Sequence, residues 1–388
     1  MAKKKSQSDA ASREAKIARL EDFQEAVTPQ LELFGLAHLD KLDKERRIVR
    51  NRYSNTIELY DFTPKYVWGK QNRINGRFLD PIKREYVCRK EHYRVTISPA
   101  RIEHKDGVFR DHFPGKREEL VEDALRKIAT RGQAVMLNEL VSVKFTFYEL
   151  QQELKRNGHS YSVNELKEAL TICGGTHLTI TSSDGSSVLM SSMFECIGMH
   201  SREEWKGSGK KSSAFVRFNS LVTAGINNRQ FRLYNYDQVM SYSSSIARQL
   251  HKRMSHHYKQ AGLFDPFTIH LKTIIRDFGL TSYAQLRDNL RDVEMALYEM
   301  GGEEVDERGQ KIEKPEARKK AADKLGKEKL EKRVIMSYRI ERLIDATKHN
   351  KLIDAKIIIT PDHPFISEVK AATERAKEVQ SLPLKNGN

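Results

Sequence analysis

The chain has 388 residues, with 68 Lys and Arg against 53 Asp and Glu, and a formal net charge of +15. This length allows two or three domains, and the positive surplus favours a polyanionic partner: DNA, RNA or an anionic membrane surface. The cysteines Cys88, Cys173 and Cys196 are far apart and form no CxxC pair, which argues against a disulfide framework and against a zinc site. No stretch has the ~20 apolar residues of a membrane span or the apolar core of a signal peptide, so we expect a cytoplasmic protein that does not span a membrane.

The first 40 residues are polar and charged, and we expect them to form a flexible arm. The next stretch, to residue 115, mixes basic and aromatic residues with four prolines, which predicts short β-rich runs. From residue 116 the pattern becomes regular, because KREELVEDALRKIAT (116–130) places its apolar residues at helical spacing.

A short strand, two capped helices and a β-hairpin are predicted after that helix. Thr146 is the cap of the first of these two helices, and Ser162, with a glutamate three residues later, forms a capping box for the second. The dipeptide Asp184-Gly185 between two β-prone runs predicts the hairpin turn. Helix, strand, helix, helix and hairpin is the order of a winged helix, so residues 41–205 are predicted to be a first winged-helix domain with an N-terminal extension.

A similar order recurs after a Gly/Lys/Ser linker at 206–213. Long, short and long helical segments, followed by β-prone runs, predict a second winged-helix domain at 214–365. Within it, 20 of the 33 residues in 301–333 are charged, which indicates a solvated insertion in the wing. Residues 366–388 are predicted to be a C-terminal helix and tail. The predicted fold class is therefore α+β: tandem winged-helix domains (helix-turn-helix plus β-hairpin) with a disordered N-terminal arm and a charged insertion.

Several strings in this order resemble the TrfA-like and RepA-like replication initiators of iteron plasmids. These strings are SNTIELYDFTPKYVWG (54–69), VKFTFYELQQEL (143–154), LMSSMFECIGM (189–199), RQLHKRMSHHY (248–258) and TIHLKTIIRDFGLTSYAQLRDNLRDVEMALYEM (268–300). The resemblance implies two winged-helix domains that bind direct repeats in double-stranded origin DNA, promote origin opening, and recruit a host initiator and the replicative helicase. It also implies that monomers initiate replication and that a homodimer, joined through the first domain, represses the protein's own gene. It implies a bacterial protein that associates with plasmid or nucleoid DNA. We expect no cofactor.

A pentapeptide in the arm adds to this resemblance. The string QLELF resembles the bacterial sliding-clamp-binding peptide, and TrfA-like proteins carry a similar string before their winged helices. An extended peptide of this kind inserts its two apolar residues into a pocket while the glutamine forms a hydrogen bond at the rim. The clamp-binding residues are predicted to be Gln30, Leu31, Leu33 and Phe34. Glu32 departs from the usual Ser or Asp, and a short amphipathic piece that packs on its own domain is the alternative.

The candidate base-reading residues lie at the start of the helix predicted for 282–300. The apolar stripe of that helix faces the core. A recognition helix reads the major groove with its N-terminal residues: Arg pairs with guanine, Gln pairs with adenine, and Asp accepts from cytosine or orients an Arg. The predicted base-reading residues are Ser282, Gln285, Arg287, Asp288 and Arg291. The alternative is a solvated helix face with an Asp288–Arg291 ion pair.

The long helix before it supplies the candidate phosphate contacts. Its apolar stripe is Ile246, Leu250 and Met254, and its remaining face is basic. The predicted phosphate-binding residues are Arg248, Lys252, Arg253 and Lys259. The adjacent pair His256-His257 lacks the i, i+4 spacing of a helical metal site, so no metal site is expected.

The motifs of nucleic-acid enzymes are missing from the sequence. GSGKKSS (207–213) lacks the spacing of a P-loop, and no His-x-His pair stands near a tyrosine as in a rolling-circle nickase. We therefore expect a protein that is not an enzyme, and hold nucleic-acid enzyme activity as the least favoured of three function classes. The second class is a winged-helix transcriptional regulator without replication activity, which could repress its own gene. Such a regulator would have no use for a clamp-binding peptide.

The aromatic residues of the extension leave one further alternative. They could stack on the bases of single-stranded DNA, but packing in the core is the preferred interpretation. The residues concerned are Tyr53, Tyr60, Phe62, Tyr66 and Trp68.

Overall fold

The computed structural model describes residues 52–381, with gaps at 70, 138–139, 200–212, 259–261, 263–264, 314–332 and 348–349. The predicted arm with its clamp-binding-like peptide, all of the linker except Ser213, and most of the charged insertion lie outside the described residues. No helix in the described ranges is both long and apolar enough to cross a membrane.

Helices and strands alternate along the described chain, which confirms the α+β class. The helices are α1 (Glu58–Asp61), α2 (Lys116–Ile128), α3 (Phe147–Arg156), α4 (Val163–Gly175), α5 (Ser220–Asn227), α6 (Tyr236–Met240), α7 (Ser245–His257), α8 (Leu271–Asp277), α9 (Leu286–Glu299) and α10 (His363–Ser381). The strands of the N-terminal half are β1 (Tyr53–Ile57), β2 (Ile82–Cys88), β3 (Glu91–Ser98), β4 (Ala100–Glu103), β5 (Phe109–His112), β6 (Ala134–Leu137), β7 (Leu140–Thr146), β8 (His177–Ser182), β9 (Val188–Ser192), β10 (Phe194–Met199), β11 (Ser213–Phe218) and β12 (Phe231–Asn235). The strands that follow are β13 (Phe267–His270), β14 (Glu303–Glu304), β15 (Ile335–Asp345) and β16 (Lys351–Pro361).

The local signals in the first half are confirmed. The Thr146 hydroxyl accepts a hydrogen bond from the backbone of Glu149 at 3.1 Å and caps α3. Ser162 and Glu165 form the predicted capping box at the start of α4. β8 and β9 pair antiparallel around a turn in which Gly185 has a φ of 71°, a left-handed conformation that glycine adopts without strain.

The first core extends further along the chain than the domain boundary predicted at 206–213. Two four-stranded sheets, ordered β2-β3-β8-β9 and β10-β11-β7-β6, belong to this half together with α2, α3 and α4. β11 pairs with β7 and β10, and β12 pairs with β1, so residues 213–240 complete the first half and do not open the second. The second core begins at Tyr242. The sequence pattern could not show this, because strand pairing joins residues far apart in the chain.

The second half places α7, α8 and α9 against an antiparallel sheet. Its strand order is β13-β16-β15-β14, and β15 and β16 form a long hairpin. α9 begins at Leu286 and not at the predicted Ser282, because residues 281–285 are a non-helical, exposed segment before the helix. The described start of the charged insertion forms β14, which pairs in parallel with β15.

The C-terminal helix packs back onto the first half. Asn235 on β12 donates a hydrogen bond to Glu368 at 3.0 Å, and Arg232 donates to Thr373 at 3.1 Å. Leu233 and Ala372 are buried against each other beside them. α10 therefore packs against both halves.

A buried row of ion pairs, which we call the charged seam, joins the two halves. Arg248 is fully buried and donates two hydrogen bonds to one carboxylate oxygen of Glu119, at 2.6 and 3.1 Å. One turn further along each helix, the Lys252 ammonium lies 2.7 and 2.6 Å from the two oxygens of Asp123. The two acids lie four residues apart on α2 and the two cations four apart on α7, so the pairs stack on facing helices.

The surroundings of Lys252 keep its ammonium charged. Burial alone would lower the pKa of this amine, but the Asp123 carboxylate, with further contributions from Glu119 and Asp61, raises it. A buried charge is stable only with such partners, because moving each ion out of water costs roughly several kcal/mol.

Replacing Arg248 with Met should lower the free energy of unfolding by about 3–5 kcal/mol, because Glu119 would stay buried without its cation. Removing both charges, in Glu119→Leu with Arg248→Met, should recover part of the loss. The recovery is partial because the carbonyls of Tyr242 and Ser243 also lose their donor. Urea unfolding followed by Trp68 fluorescence measures each variant, since Trp68 donates a hydrogen bond across the halves to Phe278.

The matched control is the exposed pair Arg94–Glu85, whose side chains are 61% and 72% exposed. Replacing Arg94 with Met should change the free energy of unfolding by less than about 1 kcal/mol. A loss at Arg248 no larger than that at Arg94 would contradict a stabilising role for the charged seam.

Candidate nucleic-acid interface

The segment that leads into α9 is held by one buried amide. Asn289 is 2% exposed; its carbonyl oxygen accepts from the Tyr283 backbone at 3.0 Å, and its amide donates to the Thr281 carbonyl at 2.8 Å. Gln285 is the N-cap residue of α9 and has extended backbone angles. Because Asn289 fixes the backbone from below, the side chains of residues 282–285 point away from the core and are exposed.

The β15–β16 hairpin, which we call the wing, is attached to both helices beside it. Arg287 on α9 donates to the carbonyl of Asn350 at the tip of the wing, at 3.1 Å. Asp354 on β16 accepts from the backbone of Lys272 at 3.1 Å and so caps the N-terminal end of α8, and it lies 3.2 Å from a ring nitrogen of His270. The wing is therefore placed beside the start of α9 by hydrogen bonds at two positions.

Exposed cations surround this region. Lys272 and Arg276 lie on α8, Arg342 lies on β15, and Lys351 lies on β16. A groove of about 400 Å³ runs between α8, the segment before α9 and the wing. Its lining includes Lys272, Arg276, Tyr283 and Lys351. A surface of this kind, with cations around a helix N-terminus, attracts phosphate groups.

All the predicted base-reading residues lie on this surface. Ser282, Gln285, Arg287 and Arg291 are exposed and Asp288 is half-buried. Arg291 is 57% exposed and lies 3.4 Å from Asp288, the ion pair that the sequence suggested as an alternative role. An exposed pair of this type is worth little, so it leaves the guanidinium available to a ligand. Their reading of bases stays a prediction.

Three of the four predicted phosphate contacts, Arg248, Lys252 and Arg253, are not on this surface, and their assignment is corrected. Arg248 and Lys252 belong to the charged seam. Arg253 is 14% exposed and pairs with Asp277 at 2.9 Å. Lys259 lies outside the described residues. The reason is that α7 is covered on several sides, by α2 and β12 of the first half as well as by the second core, so its basic face points inward.

Two kinds of residue escaped the sequence argument. Asn289 carried a signal, because it is a polar residue between apolar neighbours on the buried side of α9. Arg342 carried no such signal in the sequence. It pairs with Glu294 of α9 at 3.2 Å only because the wing folds back onto that helix. Tyr283 is 45% exposed and adds an aromatic ring to the surface.

The aromatic residues of the N-terminal extension pack in the core, as preferred from the sequence. Tyr60, Phe62 and Tyr66 are buried. Tyr66 donates to the carboxylate of Glu122, and burial beside this acid raises the pKa of the phenol well above its ordinary value. These rings therefore stabilise the first half and are closed to a nucleic acid.

The described residues contain no group of three or more His, Cys, Asp or Glu side chains able to hold a metal ion. Cys88 and Cys173 are buried free thiols, and Cys196 is half-buried. In Cys88, burial raises the pKa of the thiol to about 12.

Replacing Asn289 with Ala should loosen the segment before α9. The Tyr283 amide would lose its acceptor, and a net hydrogen-bond contribution of about 1 kcal/mol corresponds to roughly fivefold faster hydrogen exchange. Asn289→Asp keeps that acceptor and should protect the same amide. Hydrogen exchange read residue by residue tests this, with the Leu297 amide near the C-terminal end of α9 as the internal control. Equal protection of Tyr283 in the wild type and the Ala variant would contradict the proposed anchor.

No protein-family model and no curated protein sequence matches the chain. Several solved structures are similar to it, among them the following three. A selenomethionine derivative of domains 2 and 3 of RctB has a TM-score of 0.45 at 8% identity, over 77% of this chain and 95% of that one. Another crystal structure of RctB domains 2–3 gives 0.42 at 9% identity, over 76% and 95%. The Pi initiator protein in complex with iteron DNA gives 0.35 at 12% identity, over 63% and 90%.

Proposed function

We propose that the protein is a plasmid replication initiator that binds repeated sequences in double-stranded origin DNA and acts without enzymatic chemistry. The observation that carries this proposal is the surface at the start of α9. Gln285, Arg287 and Arg291 are exposed there beside a hairpin and several cations. Arginine and glutamine at the N-terminal end of a helix suit the donor and acceptor pattern of the major groove.

The arrangement of the second half supports the interpretation that this surface belongs to a winged helix. Its elements follow the order α7, β13, α8, α9, β15, β16, and β16 pairs with both β13 and β15. In such a module the third helix enters the major groove and the hairpin contacts the neighbouring backbone. Lys272, Arg276 and Lys351 would then bind phosphates, in the role that the sequence had assigned to α7.

The first half is proposed to be the other winged-helix module, with α2, α3 and α4 followed by the β8–β9 hairpin. The charged seam holds the two modules in one relative position, so they would bind DNA as a unit. Sites on one face of the duplex recur roughly every 10–10.5 base pairs. A repeat that spans about two turns therefore fits two modules held in a fixed relative position.

Replication, as opposed to gene regulation alone, is proposed from the peptide at 30–34 and from the resemblance to iteron-plasmid initiators. A peptide that binds the sliding clamp has no purpose in a plain repressor. The other proposed partners are a host initiator, the replicative helicase and a second copy of the chain in a repressing dimer.

Replacing Arg291 with Ala should weaken binding to the origin repeat by about 1–3 kcal/mol, ten- to a hundredfold, and relax the preference at one base position. Binding to unrelated duplex DNA should fall much less. Quantitative gel-shift and footprinting at a fixed salt concentration measure both. Arg94→Ala is the control, because Arg94 is an exposed arginine on β3 of the first half. Equal losses for both variants on specific and unrelated DNA would contradict base reading by Arg291.

Replacing Leu33 and Phe34 with Ala should abolish binding to the sliding clamp, because these side chains are proposed to fill its apolar pocket. Binding to origin repeats should stay within about twofold, since the peptide is not part of the proposed DNA surface. Surface plasmon resonance on immobilised clamp and a plasmid-maintenance assay provide the measurements, with Leu39→Ala as the control outside the peptide. Normal plasmid maintenance without clamp binding would favour the regulator over the initiator.

A further inference from the structure

We propose that the groove between α8, the segment before α9 and the wing reads thymine, by burying the C5 methyl group that this base presents in the major groove. The inference rests on the proposed function and adds to it a source of specificity that needs no hydrogen bond to a base. The ligand is double-stranded DNA with one or more thymines next to the bases that α9 contacts.

The floor of this groove is apolar. Ile275 of α8, Leu286 of α9 and Ile353 of the wing line it together with the ring of Tyr283. Ile353 is 42% exposed and Tyr283 is 45% exposed, so two large apolar groups meet water in one concave place. A surface that bound phosphates alone would gain nothing from these groups, whereas covering them with another apolar group is favourable.

A β-bulge in the wing re-aims Ile353. In the described pairing of β15 with β16, Leu352 and Asp354 have opposite residues and Ile353, which lies between them, has none. An extra residue of this kind departs from the regular alternation of the strand. The Asp354 carboxylate accepts from the backbone of Lys272 at 3.1 Å, which holds the bulge against the start of α8.

Tyr283 is positioned by two residues of α9. Its backbone amide donates to the side chain of Asn289 at 3.0 Å. One turn further along the helix, the Asp292 carboxylate lies beside the Tyr283 hydroxyl and raises the pKa of this phenol. A side chain that is already held in place loses little conformational entropy when a ligand covers it.

The charge around the groove selects DNA as the partner. Lys272 and Arg276 come from α8 and Lys351 comes from the wing, and all three are exposed. Two nearby acids are turned to protein groups, because Asp354 accepts from the Lys272 backbone and Asp277 from the guanidinium of Arg276. Cations from two elements around an apolar floor are complementary to a strand whose phosphates flank an apolar base substituent.

Thymine is the base that fits such a floor. In the major groove it presents a methyl group, while the other bases present hydrogen-bond donors and acceptors. The groove adjoins the N-terminal end of α9, so the bases that meet it are neighbours of those that Gln285 and Arg287 are proposed to read. Burying one methyl group corresponds to about fourfold in affinity, which is enough to prefer thymine at a position.

The test uses the full-length protein and a duplex carrying its footprinted repeat, with each thymine in turn replaced by deoxyuridine. This replacement removes only the methyl group and keeps the hydrogen-bonding groups of the base. The wild type should lose about three- to fivefold in affinity at one or two thymines next to the α9 contact, and less than about 1.5-fold at the others. Fluorescence anisotropy at one fixed salt concentration measures each affinity.

The double variant Tyr283→Ser with Ile353→Ser should bind the thymine and uracil duplexes equally at the sensitive position, because it removes two apolar walls of the groove. The matched control is Tyr148→Ser with Ile344→Ser. Tyr148 is 69% exposed on α3 of the first half, and Ile344 is 51% exposed on the same wing but lines a different cavity with Leu290. This control should keep the full loss on deoxyuridine.

Four results would count against thymine reading by this groove. If a specific complex forms and no deoxyuridine weakens it, the inference fails and the proposed function stands. If deoxyuridine weakens the wild type and the double variant equally, the methyl group is bound elsewhere on the protein. If the double variant leaves DNA binding unchanged but alters self-association in analytical ultracentrifugation, the groove holds a second copy of the chain. If no repeat gives a site-specific complex, the proposed function fails and thymine reading fails with it.

Discussion

The rest of the structure depends on the charged seam between α2 and α7. Glu119 with Arg248, and Asp123 with Lys252, join elements of the two halves with little access to water. Ion pairs of this kind add little net stability compared with apolar packing, because desolvation of the charges offsets most of their attraction. Their geometry is strict, however, and a shift of one helical turn would leave one acid and one cation buried without partners. The charged seam therefore sets the position of the second half on the first.

That position decides which cations can reach a ligand. The net charge of +15 gave only a general expectation of a polyanionic partner, and the most basic helix contributes to the charged seam. The exposed positive surface is assembled from α8, α9 and the wing, which are separated in the chain and adjacent in space. A helix with a basic face thus marks a DNA contact only when nothing else covers that face.

Hydrogen bonds from polar side chains hold the elements of the candidate interface together. Asn289 holds the segment before α9, Asp354 caps α8 from the wing, and Arg287 reaches the carbonyl of Asn350. Each anchor joins two elements, so a helix start and a hairpin tip keep a constant separation. A protein that reads a duplex needs this, because groove spacing tolerates little variation.

The sequence by itself determined the features whose physical cause lies within a few residues. The caps at Thr146 and Ser162, the turn at Gly185 and the exposure of Arg291 follow from neighbours in the chain. The tertiary structure alone decided the domain boundary at about residue 241 and the burial of Arg248, because β11 pairs with distant strands and Glu119 lies 129 residues from its partner. Periodicity shows which face of a helix differs from the others, but only packing shows what covers that face.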